Sequence, residues 1–313
     1  MPDHIPVLVA EVVAILCPRP GGSYLEATVG LGGHAEAVLR GSEPDGTLLG
    51  IDRDREALAL AGQRLAPFGR RVTLLHGRYE ALAELVGPGT HFDGILFDLG
   101  ASSLQLDRAA RGFSFEQEGL LDMRMDQSTG EAAADLVGRL SERELADLIF
   151  RWGEDRSSRR IARAIVEARR RSPIRTTTAL AEVVAQAIPR RAWPRRIHPA
   201  TRTFQALRIA VNDELTGLDH ALETATTLLR PGGRIAAISF HSLEDRIVKQ
   251  AWRRLGASGR MRILTKRPII PGESEVNANP RARSAKLRAL ERLPVRREPT
   301  APLWVPDSFG EGA

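Results

Sequence analysis

Residues 23–35 read SYLEATVGLGGHA. The apolar run from Tyr24 to Val29 enters a glycine-dense turn, and Ala35, Val38 and Leu39 follow at helical spacing, so the stretch predicts strand, loop and helix. Gly30 and Gly32 permit backbone angles and close approaches that a Cβ forbids, which lets a ligand press against bare amides at a helix N-terminus. Gly46 to Ile51 reads as a second strand ending on Asp52, at the spacing where an acidic side chain takes a ribose hydroxyl in nucleotide folds. Together these features describe a nucleoside pocket. Gly30, Gly32 and Ala35 also satisfy the G-x-G-x-x-A spacing of dinucleotide binders, and the turn alone does not choose between NAD and another nucleoside cofactor.

Outward from this turn the alternation of strand and helix continues. Glu56–Leu65 has the pattern of an amphipathic helix and Arg71–Leu75 of a third strand. Phe92–Leu99 (FDGILFDL) is nearly continuous in apolar residues, as expected of a parallel strand buried on both faces. The pattern predicts an α/β protein with a doubly wound, Rossmann-like sheet, whose ligands lie beyond the carboxyl ends of the strands with Gly30, Gly32, Asp52 and Asp98. From about Leu106 strand signals stop. Residues 111–126 (RGFSFEQEGLLDMRMD) lack a period and read as a loop. Ser141 and Glu144 form a capping box. Ile161, Ala164, Ile165 and Ala168, then Leu180, Val183, Val184, Ala187 and Ile188, make two apolar helical stripes. The organisation predicted is a discontinuous sheet domain, 1–105 and 203–313, interrupted by a helical domain over 106–202. In its second half, Phe204–Leu229 reads as one long helix closed by Pro231, Gly232 and Gly233. Arg234–Phe240 is a fifth strand, Ser242–Leu255 a helix and Met261–Lys266 a sixth strand. Ser284–Leu293 fits strand or helix equally, and the terminal GEGA reads as frayed.

Among 313 residues, 42% are apolar and 27% charged, the balance of a soluble globular protein. The N-terminal stretch has no basic n-region, and Asp3 and Glu11 interrupt it, so it reads as neither signal peptide nor membrane span. The single cysteine, Cys17, excludes an internal disulfide framework and suits a reducing cytoplasm. The net charge of +6 conceals a segregation. Residues 151–202 hold 14 Arg and Lys against 4 Asp and Glu, residues 253–298 hold 13 against 4, and the rest of the chain is acidic. Two basic segments on an acidic body suggest a polyanion footprint, with a merely solvated face as the plainer alternative.

Asp98 ends the fourth strand and opens LGASS, placing its carboxylate beside the glycine turn, where it can accept a hydrogen bond from an amino group; a helix N-cap is the structural alternative. In HSLEDR, 241–246, Ser242 and Asp245 fit a capping pair, leaving His241 and Glu244 as possible site residues. The seven histidines show no paired ligand spacing, and no metal site is expected. There is no Walker A loop and no G-x-S-x-G elbow. Pyrimidine C5 methylation normally needs a thiolate, for which Cys17 is poorly placed.

HIPVLVAEV (4–12), ATVGLGGHA (27–35), IDRD (51–54), DLGASS (98–103), RGFSF (111–115), LDMRMD (121–126), SFHSLEDR (239–246) and NPRARSAKLR (279–288) together resemble the bacterial 16S ribosomal RNA (cytosine-N4)-methyltransferase family, in order and over nearly the whole chain. The resemblance implies a class I S-adenosylmethionine-dependent methyltransferase sheet with an inserted helical domain. It implies methylation of the exocyclic N4 of a decoding-centre cytosine of 16S rRNA within the small ribosomal subunit, with no DNA or membrane partner. Carried over by position, Gly32, Gly33 and His34 hold the cofactor's methionine end, Asp52 the ribose and Tyr79 the adenine or ribose, while Asp98 and Gln105 complete the pocket. Tyr79 replaces a common Phe, and Ala101 a frequent Val. Arg111, Phe113 and Phe115 become candidates for the target base or its neighbour, with packing between sheet and insertion as the alternative for the phenylalanines. Arg281, Arg283, Lys286 and Arg288 become candidates for phosphates. Cytosine N4 is a weak nucleophile because its lone pair is delocalised into the ring, and an acceptor such as Asp98 localises that pair and aims it.

Overall fold

The computed structural model describes residues 6–195 and 197–294; the GEGA tail lies outside them. Seven strands, β1 (Ser23–Glu26), β2 (Thr47–Asp52), β3 (Val72–His76), β4 (Phe92–Asp98), β5 (Leu229–Ser239), β6 (Met261–Ile263) and β7 (Lys286–Arg292), form one sheet in the order β3-β2-β1-β4-β5-β7-β6. β1 to β5 are parallel, and β7 runs antiparallel to both β5 and β6. β1 pairs with β2 on one side and β4 on the other, so the winding reverses there, and the crevice beyond its carboxyl end is where this architecture places ligands.

Successive side chains of a strand face opposite ways, and the sheet uses this to feed two cores. Leu25, Ile95, Phe97, Ile235 and Ala237 face one layer, while Tyr24, Leu96, Ala236 and Ile238 face the other. Helices α1 (Val9–Leu16), α2 (Gly33–Gly41) and α3 (Arg55–Leu65) contribute to the second layer. The short α4 (Leu82–Val86) contributes Leu82 to the first layer, and α5 (Ser103–Asp107) follows β4.

A separate core is built by α6 (Ala133–Arg139), α7 (Glu142–Gly153), α8 (Ser158–Arg171), α9 (Thr177–Ala187) and α10 (Thr201–Asn212). The Ser141–Glu144 capping box opens α7, and Ile161, Ile165, Leu180 and Val184 are fully buried. α10 gives Phe204, Ala206 and Leu207 to this helical core, which therefore extends past residue 202.

Three local readings need correction. The stretch from Phe204 to Leu229 is not one helix: α10 ends at Asp213, which is left-handed at φ 49°, and α11 (Leu218–Thr227) starts after Gly217 at φ 81°. The break lets α10 pack on the helical core while Leu218, Ala221, Leu222 and Ala225 of α11 pack on the sheet. Of the two alternatives open for 284–293, the strand holds, as β7 over Lys286–Arg292, while β6 stops at Ile263, short of Lys266. α12 (Ser242–Ala257) is capped one residue earlier than the consensus suggests, by His241 with Glu244; α13 (Glu273–Ala278) precedes β7. Among the described residues no helix is long and apolar enough to cross a membrane.

Candidate functional site

A cavity of about 490 Å³ opens beyond the carboxyl ends of β1, β2 and β4, within the range of sites that bind small molecules and cofactors. Its floor is the glycine turn. Past β1 the chain stays extended because the Val29 amide donates to the Ile51 carbonyl at 2.8 Å. Gly30 then takes φ 50° with open space where a Cβ would stand. Its amide donates to Asp52 Oδ2 at 2.7 Å. Gly33 and His34 line the cavity at the start of α2. A side chain on Gly33 would run into the Pro6 ring. Gly32 is set back from the lining: it caps α2 at φ 78° and packs beside Ala61 and Leu65.

Asp52 ends β2 and also accepts from the Asp54 amide at 2.8 Å. Burial pushes its carboxyl up to about 6, against the two amides that pull it down. Tyr79 lines the same wall, its ring edge-on to Phe97 at 6.1 Å, and its hydroxyl donates to the Glu214 carbonyl at 2.5 Å. The extra oxygen relative to phenylalanine is therefore satisfied.

Asp98 stands at the end of β4 with its amide held by Thr28 Oγ1 at 2.7 Å. It does not cap a helix; Ser102 caps α5 and shares a capping box with Gln105. Asp98 Oδ2 lies 3.5 Å from His34 Nδ1, and Glu26 Oε1 lies 3.8 Å from the same nitrogen. His34 Nε2 donates to the Val7 carbonyl at 2.8 Å. Asp98 Oδ1 is buried without a hydrogen-bond partner among the described residues. Burial, reinforced by the charge of Glu244, pushes the Asp98 carboxyl up to about 8. Burial, then the charges of Asp98 and Asp52, raises Glu26 well above the carboxylate range. Glu26 did not stand out in the sequence, although an acidic residue inside an apolar strand run was the available signal.

Beside Asp98 lies a second polar group lining the cavity, the buried Glu214 and Glu244 with the half-buried Arg208 and His241. Arg208 grips Glu214 through Nε at 2.9 Å and Nη2 at 2.8 Å. Glu244 accepts from the Phe240 amide at 2.8 Å and faces His241 Nε2 at 3.0 Å. Against the upward push of burial, His241, Arg208 and the Phe240 amide hold Glu244 below its ordinary range. Glu214, His241 and Glu244 bring ligand-type atoms within 4.8 Å of one another. The Arg208 guanidinium already supplies positive charge at that group. Arg208 and Glu214 carried no sequence signal, because the break between α10 and α11 that brings them together was hidden in an uninterrupted helical pattern.

The other sequence candidates divide. Gln105 lines the cavity but is tied on both sides, its Nε2 donating to Asp54 Oδ2 at 2.9 Å and its Oε1 accepting from the Ser102 amide at 3.0 Å. Arg111 is buried and committed elsewhere: it donates to Asp54 at 2.8 Å, to Glu56 at 3.1 Å and to the Met125 carbonyl at 2.8 Å, so it is not available to a base. Phe113 and Phe115 both line the cavity, the first buried and the second half-buried. Arg281 lines it too and pairs with Asp107. Arg283 is exposed. Lys286 and Arg288 lie on β7, away from the cavity, and share Asp245 at 3.1 and 2.7 Å. Arg288 is only 7% exposed, so the phosphate role expected of it conflicts with its burial in that pair.

The model of the MraW methylase family matches residues 1–293. The ribosomal RNA small subunit methyltransferase H of Geotalea uraniireducens is 50% identical over 307 residues, 93% of this chain and 98% of its own length. The protein of the same name from Geobacter sulfurreducens is 53% identical over 310 residues, 93% of this chain and 99% of its own. Among solved structures, an rRNA methylase from Streptococcus thermophilus aligns over 93% of this chain and 100% of its own with a TM-score of 0.43 at 14% identity. On the strength of the family match and of relatives that share half their residues along almost their entire length, this chain belongs to the MraW methylase family, with a class I methyltransferase sheet and S-adenosylmethionine as its cofactor.

Proposed function

We propose that this protein methylates the exocyclic N4 of a decoding-centre cytosine of 16S rRNA within the small ribosomal subunit, in the cytoplasm. Its curated relatives are small-subunit rRNA methyltransferases, and the chain is an rRNA methyltransferase like them. The observation that carries the finer reading is the Asp98 carboxylate at the cavity, one oxygen buried without a partner, in a site with no cysteine among the lining residues. An amino nitrogen suits that acceptor; a ring carbon does not.

The residues present fit the cofactor. Gly30 leaves open space where a Cβ would stand, and Gly33, His34, Asp52 and Tyr79 line the wall beside it. When bound, S-adenosylmethionine supplies a methyl group activated by its sulfonium. In this reading Gly33 and His34 hold its methionine end, Asp52 its ribose hydroxyls, and the Tyr79 ring its adenine or ribose. Gln105 braces the pocket from behind through Asp54.

Toward the base, Asp98 Oδ1 accepts one N4 hydrogen and the Leu99 and Gly100 carbonyls offer a second acceptor. Both pull the nitrogen lone pair out of conjugation and fix its direction. As N4 gains its new bond it becomes acidic, and a carboxylate of raised basicity at Asp98 is matched to take the proton. The base leaves its stack to reach this depth, with Phe113 as the apolar surface that meets it and Phe115 turned to its neighbour. Residues 1–105 and 203–313 form the methyltransferase unit in this reading and 106–202 the RNA-recognition unit, with α10 shared. Arg283 remains a candidate for phosphate contacts, and Arg281 would have to leave Asp107 to make one.

The test is methyl transfer from labelled S-adenosylmethionine to small subunits lacking the modification, followed by nucleoside mass spectrometry. N4-methylcytidine at a single position is expected. Label in 5-methylcytidine, or none in any cytidine, overturns the reading.

A further inference from the structure

A line of aromatic side chains leads out of the cavity into the first basic segment. Phe204 and Phe115 line the cavity and meet edge to face with ring centroids 4.8 Å apart. Phe115 in turn meets His198 at 4.8 Å, tilted by 41°. His198 meets Trp193 at 5.8 Å, and the Arg190 guanidinium lies 4.6 Å over the Trp193 ring. The Trp193 indole N–H donates to the Ile188 carbonyl at 2.9 Å, which fixes the plane of the ring. From Ile188 to Phe204 the sequence holds five arginines and no acidic residue.

Packing alone accounts for Phe204, which is buried, and for much of Phe115, which rests on the helical core. It accounts in part for Trp193, half-buried against the helical core, but not for His198, which is exposed, nor for the exposed Arg190 spread on the Trp193 ring. Arg281, Lys286 and Arg288 are spoken for by Asp107 and Asp245. Among the described residues Arg190, Arg191 and Arg195 enter no ion pair and are exposed. Rings in series beside unpaired cations are the pattern by which single-stranded nucleic acid is tracked, bases on the rings and phosphates on the arginines.

We infer that the ladder Phe115–His198–Trp193, with Arg190 at its outer end, is the exit path of the RNA strand, holding the nucleotides that flank the target base once that base is in the cavity. This rests on the rRNA-methyltransferase reading and adds to it a location. The strand leaves the site over the loop before α10, and this part of the helical unit recognises the unstacked neighbours of the target.

The experiment is steady-state methylation of undermodified small subunits by the full-length protein and by Trp193→Leu, Trp193→Phe and Arg190→Gln, with the affinity for S-adenosylmethionine measured in parallel. Loss of one base–aromatic stack raises KM for the subunit about tenfold in Trp193→Leu, while cofactor affinity stays at the wild-type level and the protein remains folded at the assay temperature. Trp193→Phe keeps a ring and recovers most of the loss. Arg190→Gln reduces the slope of log KM against log salt by about one phosphate contact. An unchanged KM in a stably folded Trp193→Leu overturns the ladder alone. Equal losses in Trp193→Leu and Trp193→Phe also overturn it, by assigning the defect to the indole hydrogen bond. Absence of transfer to any small-subunit RNA by the unaltered protein overturns the functional reading and the ladder together.

Discussion

Arg111 donates to Asp54 at 2.8 Å with both side chains less than 5% exposed, a buried ion pair between residues 57 positions apart. Asp54 is also the N-cap of α3, accepting from the Glu56 and Ala57 amides, and the anchor of Gln105. One carboxylate thus ties the segment after β2 to the loop that carries Phe113. Removing the cation strands that carboxylate. Arg111→Met is expected to destabilise the fold by about 3–5 kcal/mol, the usual result of breaking a buried pair from one side, read as a lowered denaturant midpoint. A loss below about 1 kcal/mol would mean that water reaches Asp54.

Asp98→Asn keeps shape and size but removes the charge that attracts the N4 hydrogen. Turnover is expected to fall by about 100- to 1,000-fold, the range for losing one preorganised electrostatic contact, with the dissociation constant for S-adenosylmethionine little changed. Single-turnover methylation with saturating cofactor separates the two effects.

The ionised form of Asp98 is the hydrogen-bond acceptor, and burial together with Glu244 pushes its carboxyl up to about 8. Activity should therefore climb with pH, with unit slope in log kcat/KM, and level off above about 8. Glu244→Gln removes a like charge, so the inflection moves to lower pH. For stability the sign is opposite. A carboxyl more basic folded than unfolded favours the native state at low pH, and that contribution is lost as pH rises from the ordinary carboxylate range toward 8. The melting temperature of the unliganded protein should therefore fall less between pH 6 and 8.5 in Asp98→Asn than in the wild type.

The two glycines of the turn should fail differently when replaced by alanine. At Gly30 the space is open and only the left-handed backbone resists, at about 1–2 kcal/mol. At Gly33 the new methyl meets Pro6, and relieving the clash displaces the segment whose Val7 carbonyl holds His34. Cofactor affinity should drop more for Gly33→Ala than for Gly30→Ala, and isothermal titration reads both.

The first four strands and the crevice beyond their carboxyl ends were legible because short apolar runs and glycine turns are local signals. Tyr24 to Val29 and Phe92 to Leu99 could hardly form anything else. Asp52 and Asp98 were legible because each sits where a strand ends. What stayed hidden depends on partners far along the chain. Charge counting treats Arg111, Lys286 and Arg288 as free cations, yet Asp54 and Asp245 neutralise them across 57, 41 and 43 positions. The helix start at His241 was displaced in the reading because Ser242 and Asp245 satisfy the consensus, whereas the imidazole makes the cap through Nδ1. Arg208 and Glu214 came into view only with the turn at Asp213, which nothing in the helical period announces.

Phe97 of β4 pairs with Ala237 of β5 across 140 residues of intervening chain. On the ribosome, the middle of the sheet stays open until that whole stretch has been synthesised. The helical core, whose helices α6 to α10 all lie within residues 133–212, can condense first. Because α10 belongs to that core and leads through α11 into β5, its condensation shortens the loop that must close before β5 finds β4. The insertion thus serves chain assembly as a splint, and the methyl-transfer crevice is completed only when the last parallel strand is laid beside Asp98.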